Sequence, residues 1–311
     1  MSVRKTSNAS MLLVMPEALS MSKVRYLTES AIKRLYHRDS KCPSCGAGQS
    51  VLISRKYLVT ELRRCNHCKL LYRVPVDSIN DSKHFYQSNY KQGITTEMPD
   101  SHKLDHFKRT HFRDTEKDYS QIISVLEALG VERGRRIFDF GCSWGYGSWQ
   151  LRQYGYEVES YEISVPRAQY AAQKLSCNVY QNLDDVLENH KSYYDVFFSS
   201  HVLEHVPSVL SVIEFAEAIL RNNGLFIAFT PNGSDQFRKK APKQWQKLWG
   251  QVHPNFLDDQ YYVHQFRRVP YLLSSNPYDL HSENNWSHGD CKQKVLDLSG
   301  SELMCVAKLK G

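Results

Sequence analysis

Hydrophobic positions change their period along the chain. Val24, Leu27, Ile32 and Leu35 recur at helical spacing, after a Ser- and Met-rich segment, residues 1–22, that has no period and reads as a loose tail. Residues 41–74 run KCPSCG, then VLISRKYLV, then LRRCNHCKLLYRV, β-like runs between turn-forming cysteine knuckles, and predict a small ribbon. DSKHFYQSNYKQGITTEMP, residues 81–99, mixes aromatic and polar positions as a linker or lid would. Residues 102–129 read as helical, with Ile122, Ile123, Leu126 and Leu129 as the apolar stripe. From there RRIFDFG, YEVESYEIS, CNVYQN, YYDVFFSS and GLFIAFTP are short β-rich runs separated by helical stretches. That alternation predicts an α/β domain, a doubly wound parallel sheet with crossover helices. Beyond residue 232 the chain is aromatic and basic without a firm period. SSNPYDLHSENNWSHGDCKQK reads as a polar loop, and SELMCVAKLKG as a last edge strand.

With 311 residues, 41% of them hydrophobic, the chain can bury one large domain plus a smaller module. No apolar run approaches the roughly 20 residues of a membrane span, and MLLV is too short for a secretory leader, so the expected location is the cytoplasm. The formal charge of +7 is uneven: Lys23 to Arg73 hold twelve Lys or Arg against three acids. A basic module of this kind suits an anionic partner such as nucleic acid or a nucleotide-linked sugar, or is simply a solvated face.

Of eight cysteines, Cys142, Cys177, Cys291 and Cys305 stand singly, while Cys42, Cys45, Cys65 and Cys68 form two CxxC pairs with nineteen residues between them. The spacing fits a tetrahedral Cys₄ zinc site, closed and structural because thiols fill all four positions. Pro43 and Gly46 assist the first turn, and Lys41, Arg63, Arg64 and Lys69 are expected to favour the thiolates.

In IFDFGCSWGYGSW an apolar strand ends at Asp139 and passes into Gly141, Gly145 and Gly147 before a helix. Glu162 ends the next strand, about twenty residues on, where a carboxylate can grip a ribose diol. Dinucleotides and S-adenosylmethionine share such a pair, but the acid-first DxGxxxG spacing is not the GxGxxG that cradles a pyrophosphate. On FDFGCSWGYG, YEVESYEIS, YYDVFFSSHVLEHV and LRNNGLFIAFTPN, in that order, residues 105 to 235 resemble the class I S-adenosylmethionine-dependent methyltransferases, with their Rossmann-like sheet. The resemblance implies that Asp139, Gly141, Cys142 and Gly145 surround the methionine part of S-adenosylmethionine. It also implies that Glu162 binds the ribose and that Asn182 and Leu183 recognise the adenine. Trp144 departs from the smaller residue often seen in that loop, and either covers the cofactor or packs. The expected organisation is tail and helix 1–38, zinc ribbon 39–76, linker or lid 77–104, and a methyltransferase domain 105–311 with an acceptor-pocket insertion at about 233–290.

His201, Glu204 and His205 spell HxxEH, also the signature of inverted zinc peptidases. A peptidase needs that motif inside a long helix. Here DVFFSS is a strand running straight into His201, and Pro207 follows closely, so the segment is better read as the fourth-strand motif of the methyltransferases. His201 then stands at the crevice edge, where a neutral imidazole either takes a proton from the acceptor or lines the cofactor, and His205 ties the loop. His253 in WGQVHPNFLDDQYY is a second catalytic candidate, and Tyr86 and Tyr90 are candidates to close over the cofactor.

A ribbon, an aromatic linker and this domain are similar to methyltransferases of small metabolites, including nucleotide-sugar C-methyltransferases, whose further C-terminal domain a chain of this length is not expected to hold. The expected activity is methyl transfer to a sugar, nucleotide-sugar or related metabolite. An RNA methyltransferase and a catalytically silent S-adenosylmethionine-binding scaffold are the alternatives; an Asn-Pro-Pro-aromatic amino-methylation signature is absent, SSHV occupying its place.

Overall fold

The computed structural model describes residues 21–36, 41–76, 97–289 and 291–309. Tyr86 and Tyr90, the tail and most of the linker lie outside them. In chain order the elements are α1 (Met21–Tyr36), β1 (Ser50–Lys56), β2 (Thr60–Cys65), β3 (Leu71–Val74), α2 (Ser101–Arg109), α3 (Ser120–Ala128), β4 (Arg136–Phe140), α4 (Tyr146–Tyr154), β5 (Glu157–Tyr161), α5 (Val165–Leu175), β6 (Asn178–Tyr180) and α6 (Leu183–Asn189). They continue with β7 (Tyr194–Ser200), α7 (Val209–Ile219), β8 (Leu220–Pro231), α8 (Asp235–Lys240), α9 (Pro242–Lys247), β9 (Asn255–Phe256), α10 (Asp259–Gln265), β10 (Tyr271–Ser275), α11 (Leu280–His288), β11 (Lys294–Val295) and β12 (Glu302–Leu309).

The apolar runs from Arg136 onward form an eight-stranded sheet in the order β11-β10-β12-β8-β7-β4-β5-β6. Strand β7 is buried along nearly its whole length, as a strand covered on both faces must be. Neighbours from β6 to β8 are parallel. The chain therefore travels outward from β4 through β5 to β6, then returns to β7 on the other side of β4. That reversal opens a crevice at the carboxyl ends of β4 and β7.

Three expectations are corrected. The tail strand is not an edge: β12 inserts antiparallel between β8 and β10, and its LMCVA run is buried because sheet lies on both sides. The expected polar loop begins on the last two residues of β10 and contains the helix α11, which buries Trp286 and Glu283. The helical stretch 102–129 is two helices, interrupted where His111, Phe112 and Asp114 take positive φ.

The ribbon is not self-contained either. β1, β2 and β3 form an antiparallel sheet whose fourth strand, β9, comes from the expected insertion. Leu62 and Leu71 of the ribbon share a buried cluster with Phe237, Trp245, Trp249 and Phe256. At about 1.5–3 kcal/mol for each large apolar side chain buried, this cluster fixes the ribbon against the residues that follow β8. Among the described residues no helix is long and apolar enough to cross a membrane.

Candidate active site

Strand β4 carries Asp139 to the head of the crevice, 3% exposed. Its carboxylate accepts from Ser148 Oγ on α4 at 2.6 Å, and Ser160 Oγ on β5 donates to Ser148 at 3.0 Å. Burial pushes the Asp139 carboxyl up to about 7, against the Ser148 hydrogen bond, with Glu162 adding repulsion. The loop that follows is pinned to β5: the N–H groups of Gly141 and Cys142 both donate to Tyr161 O, at 2.8 and 3.0 Å. Gly141 and Gly145 sit at φ 87°, which disfavours a side chain. A Cβ on Gly141 would also meet Val202 at 2.4 Å, and one on Gly145 would meet Ala171 at 2.8 Å.

Glu162, just past β5, closes this loop. One carboxylate oxygen accepts from the Ser143 N–H at 2.9 Å and the other from the Ser164 N–H at 2.8 Å. Each oxygen keeps lone-pair capacity. Burial raises its carboxyl above the ordinary range, opposed by the Ser164 N–H, Arg167 and the Ser143 N–H. Ser143 Oγ is buried in the same loop and has no hydrogen-bond partner among the described residues. A glycine-bent loop, a carboxylate with spare acceptor capacity and an unmet hydroxyl fit an adenosyl ligand approaching from the crevice.

The other candidates fall differently. Cys142 is buried and its thiol is raised by burial. Trp144 is fully buried and packs among Phe112, Tyr146 and Tyr170, so packing is its role here. Asn182 caps α6, accepting from the Asp184 N–H at 3.1 Å, and stays exposed; Leu183 packs against the core.

His201 leaves β7 at φ 55°, at the crevice edge. Its Nε2 lies 2.5 Å from Glu302 Oε2 and its Nδ1 3.5 Å from Glu204 Oε1. Partial burial pulls His201 down, but Glu204 and Glu302 outweigh it and hold the imidazole protonated, up to about 10. With both nitrogens facing carboxylates, this arrangement favours the charged imidazolium over the neutral base expected. Tyr278 donates to the other Glu302 oxygen at 2.5 Å. Glu302 and Tyr278 had no local signal to find them by, because they lie 101 and 77 residues after His201, on β12 and after β10.

No long helix carries HxxEH: residues 203–205 form a turn, 206–207 a bend, and α7 begins at Val209. His205 Nδ1 donates to Val252 O at 2.7 Å, tying the loop, and His253 Nδ1 donates to Leu248 O at 2.6 Å. The two rings meet edge-on, 4.7 Å between centroids, so His253 faces the Glu204–His205 turn.

In the ribbon, Cys42 Sγ lies 3.5 Å from Cys68 Sγ and Cys45 Sγ 3.6 Å from Cys65 Sγ, and all four sulfurs fall within 4.8 Å of one another. A tetrahedron with Zn–S of about 2.3 Å has edges of about 3.8 Å, so the set fits one zinc ion. The knuckles match: Gly46 N–H donates to Cys42 O and Lys69 N–H to Cys65 O, with Gly46 and Lys69 both at positive φ. The basic neighbours serve the fold. Arg34, Arg55 and Arg63 converge on Glu61, Arg64 pairs with Asp258 at 2.7 Å, and Lys56 lies over the Trp249 ring.

Asp139 yields a pH-dependent prediction. A carboxyl raised from its ordinary value of 3.8 to about 7 contributes stability that is present below pH 4 and lost as pH rises through 7. Asp139→Asn removes that loss and keeps an acceptor for Ser148. Its melting temperature is expected to rise relative to the parent between pH 4 and 7 and to hold a constant lead above, worth up to about 4 kcal/mol. Equal melting curves at pH 5 and pH 8 would contradict the raised carboxyl.

The family described as "Methyltransferase domain" matches residues 110–270. Ubiquinone biosynthesis O-methyltransferase of Actinobacillus pleuropneumoniae serotype 5b (strain L20) is 28% identical over 109 residues, 32% of this chain and 47% of that protein. The enzyme of the same name from Shewanella sp. (strain ANA-3) is 29% identical over 114 residues, 35% and 48%. The chain thus spans about half the length of the curated relatives it matches. Among solved structures, the plantazolicin methyltransferase BpumL in complex with SAH aligns with TM-score 0.46 and 14% identity, over 74% of this chain and 94% of that one. Geranyl diphosphate C-methyltransferase from Streptomyces coelicolor A3(2) aligns with TM-score 0.43 and 14% identity, over 74% and 97%.

Proposed function

Because this chain belongs to the methyltransferase-domain family, we propose that it transfers a methyl group from S-adenosylmethionine to a small hydroxylated acceptor, a sugar, nucleotide-sugar or related metabolite. The observation that carries the reading is the Asp139–Gly145 loop closed by Glu162 at the sheet's reversal point. S-adenosylmethionine supplies an electrophilic sulfonium methyl. Glu162 holds its ribose, Asp139, Gly141, Cys142 and Gly145 surround the methionine part, and Asn182 and Leu183 border the adenine. The four ribbon thiolates hold one structural Zn²⁺.

His201, Glu302 and Tyr278 form a polar rim suited to orienting an acceptor's hydroxyl groups, and the curated relatives are named as O-methyltransferases. Since both His201 nitrogens already face carboxylates, we assign it the role of a positioning residue. His253 is assigned to the Glu204–His205 turn instead of the acceptor's proton. Nucleic acid is the weaker alternative, because Arg34 of α1 and the ribbon's Arg55, Arg63 and Arg64 are engaged within the fold.

Incubation with S-adenosylmethionine and fractionated metabolite extract is expected to release S-adenosylhomocysteine together with a product heavier by one CH₂. Tight cofactor binding without any methylated sugar, nucleotide or RNA would favour the silent scaffold. His201→Ala is expected to raise the acceptor KM about tenfold with cofactor affinity unchanged, and His201→Gln to recover most of it. A loss confined to kcat, unrescued by Gln, would reject positioning.

A further inference from the structure

The buried turn after β7 holds a second constellation that the methyl-transfer reading leaves unused. Glu204, His205 and His253 place one donor atom each within 4.8 Å of the others. Glu204 is 0% exposed, and neither of its oxygens accepts a hydrogen bond from any described residue. An ionised carboxylate so placed is unfavourable unless it is well paired, and its His201 contact, at 3.5 Å, lacks hydrogen-bond geometry. His201 Nδ1, at 3.5 Å, is the nearest neighbouring nitrogen and stands on the exposed side.

The two histidines are oriented for ligation. A carbonyl oxygen can only accept, so the contacts from His205 Nδ1 to Val252 O and from His253 Nδ1 to Leu248 O fix the proton on Nδ1 in both rings. A neutral ring so fixed carries its lone pair on Nε2, and His205 Nε2 faces Glu204 Oε1 at 3.8 Å. A ligating histidine commonly donates its other N–H to a backbone carbonyl or carboxylate, which sets the tautomer and the ring angle.

The frame around the three residues is tied on every side. Asn255 on β9 donates its backbone N–H to Glu204 O at 3.1 Å and its side-chain amide to Val206 O at 2.7 Å, and His205 N–H closes the turn on Val202 O at 2.9 Å. The ribbon's fourth strand thus holds the turn against the segment that carries His253. An ion with tetrahedral bonds of about 2.0–2.2 Å holds its donors about 3.3–3.6 Å apart, so side-chain shifts of up to about 1 Å would close the set, whose donor atoms all lie within 4.8 Å of one another, on one ion.

We propose that Glu204, His205 and His253 form a divalent-cation site, separate from the four-cysteine site, that takes a first-row transition ion. Two imidazoles and one carboxylate are a borderline donor set, suited to Zn²⁺, Mn²⁺, Co²⁺ or Fe²⁺ and poorly suited to Ca²⁺ or Mg²⁺, which take oxygen ligands. With three protein donors the ion keeps open positions, unlike the ion of a closed four-thiolate site. The site stands or falls independently of the methyl-transfer reading, because metal content and S-adenosylmethionine affinity are separate measurements.

The test uses the full chain, stripped of metal and re-equilibrated. With Zn²⁺ alone, mass spectrometry of the metal is expected to count two ions per chain in the parent and one in His205→Ala/His253→Ala. With Mn²⁺, which competes poorly for thiolates, electron paramagnetic resonance titration is expected to give one bound ion. Glu204→Gln removes the buried charge at nearly constant shape, so it keeps the fold, checked by circular dichroism, and is expected to weaken Mn²⁺ at least about 100-fold. A parent that saturates at one Zn²⁺ and binds no Mn²⁺, or a Glu204→Gln chain that binds Mn²⁺ as the parent does, would overturn the assignment.

Discussion

Replacing Cys65 with serine is expected to abolish the ribbon's metal and to lower the melting temperature of the whole chain by about 10–20 °C, from a loss of about 5 kcal/mol. The effect reaches beyond the ribbon because its parts are core. Cys42, Cys65, Cys68, Leu70 and Tyr72 belong to the same buried cluster as Phe197 of β7 and Ile213 of α7. Structural zinc sites supply about 10–16 kcal/mol of apparent binding energy in isolated fingers; a ribbon already docked through β9 and the Trp245 cluster keeps some of its order without the ion, hence the smaller figure. Cys291→Ser, at a half-buried lone thiol, is the control and is expected to change stability by less than about 0.5 kcal/mol. A Cys65→Ser chain that retained its zinc and its melting temperature would contradict the four-thiolate assignment.

The second large effect is expected at Glu162. Glu162→Gln leaves one oxygen for the Ser143 and Ser164 N–H groups and puts an amide donor where the other acceptor stood. Two charge-assisted hydrogen bonds to a ribose diol contribute about 1.5–3 kcal/mol each, so S-adenosylmethionine affinity should fall about 100-fold or more, measured by calorimetry. Loss of the loop's anchor should also lower the melting temperature by a few degrees, at about 1 kcal/mol for the displaced hydrogen bond. Cofactor affinity within threefold of the parent would remove Glu162 from the site.

The glycine loop and the carboxylate proposed to hold the cofactor were legible in the sequence as a motif because their arrangement is local. Asp139, the two glycines and Glu162 stand at or just past the ends of two consecutive strands, and the turn that joins β4 to α4 has both glycines at positive φ. The same holds for the cysteine knuckles, whose geometry is set within five residues. What the sequence hid is long-range. Glu302 reaches His201 only because β12 inserts beside β8, and an antiparallel strand in a sheet of crossovers leaves no periodic trace different from an edge strand. His253 joins Glu204 and His205 across forty-eight residues through the β3–β9 pairing, and a two-residue strand is too short to be read from pattern. Helix α11 was missed because only Glu283 and Trp286 face inward, too few for an apolar stripe.

HxxEH therefore divides: His201 turns to Glu302 at the crevice, while Glu204 and His205 turn inward to His253. The motif belongs to a strand end and a turn, and its peptidase reading fails for lack of a helix.

The crevice at the carboxyl ends of β4 and β7, bordered by Glu162 after β5, is the proposed S-adenosylmethionine site. Titrating S-adenosylmethionine into the metal-replete parent chain by calorimetry tests it most directly. Saturable binding of one molecule per chain is expected, competed by S-adenosylhomocysteine and largely lost in Glu162→Gln. Absence of binding by the folded parent, or binding that Glu162→Gln leaves unchanged, would contradict it.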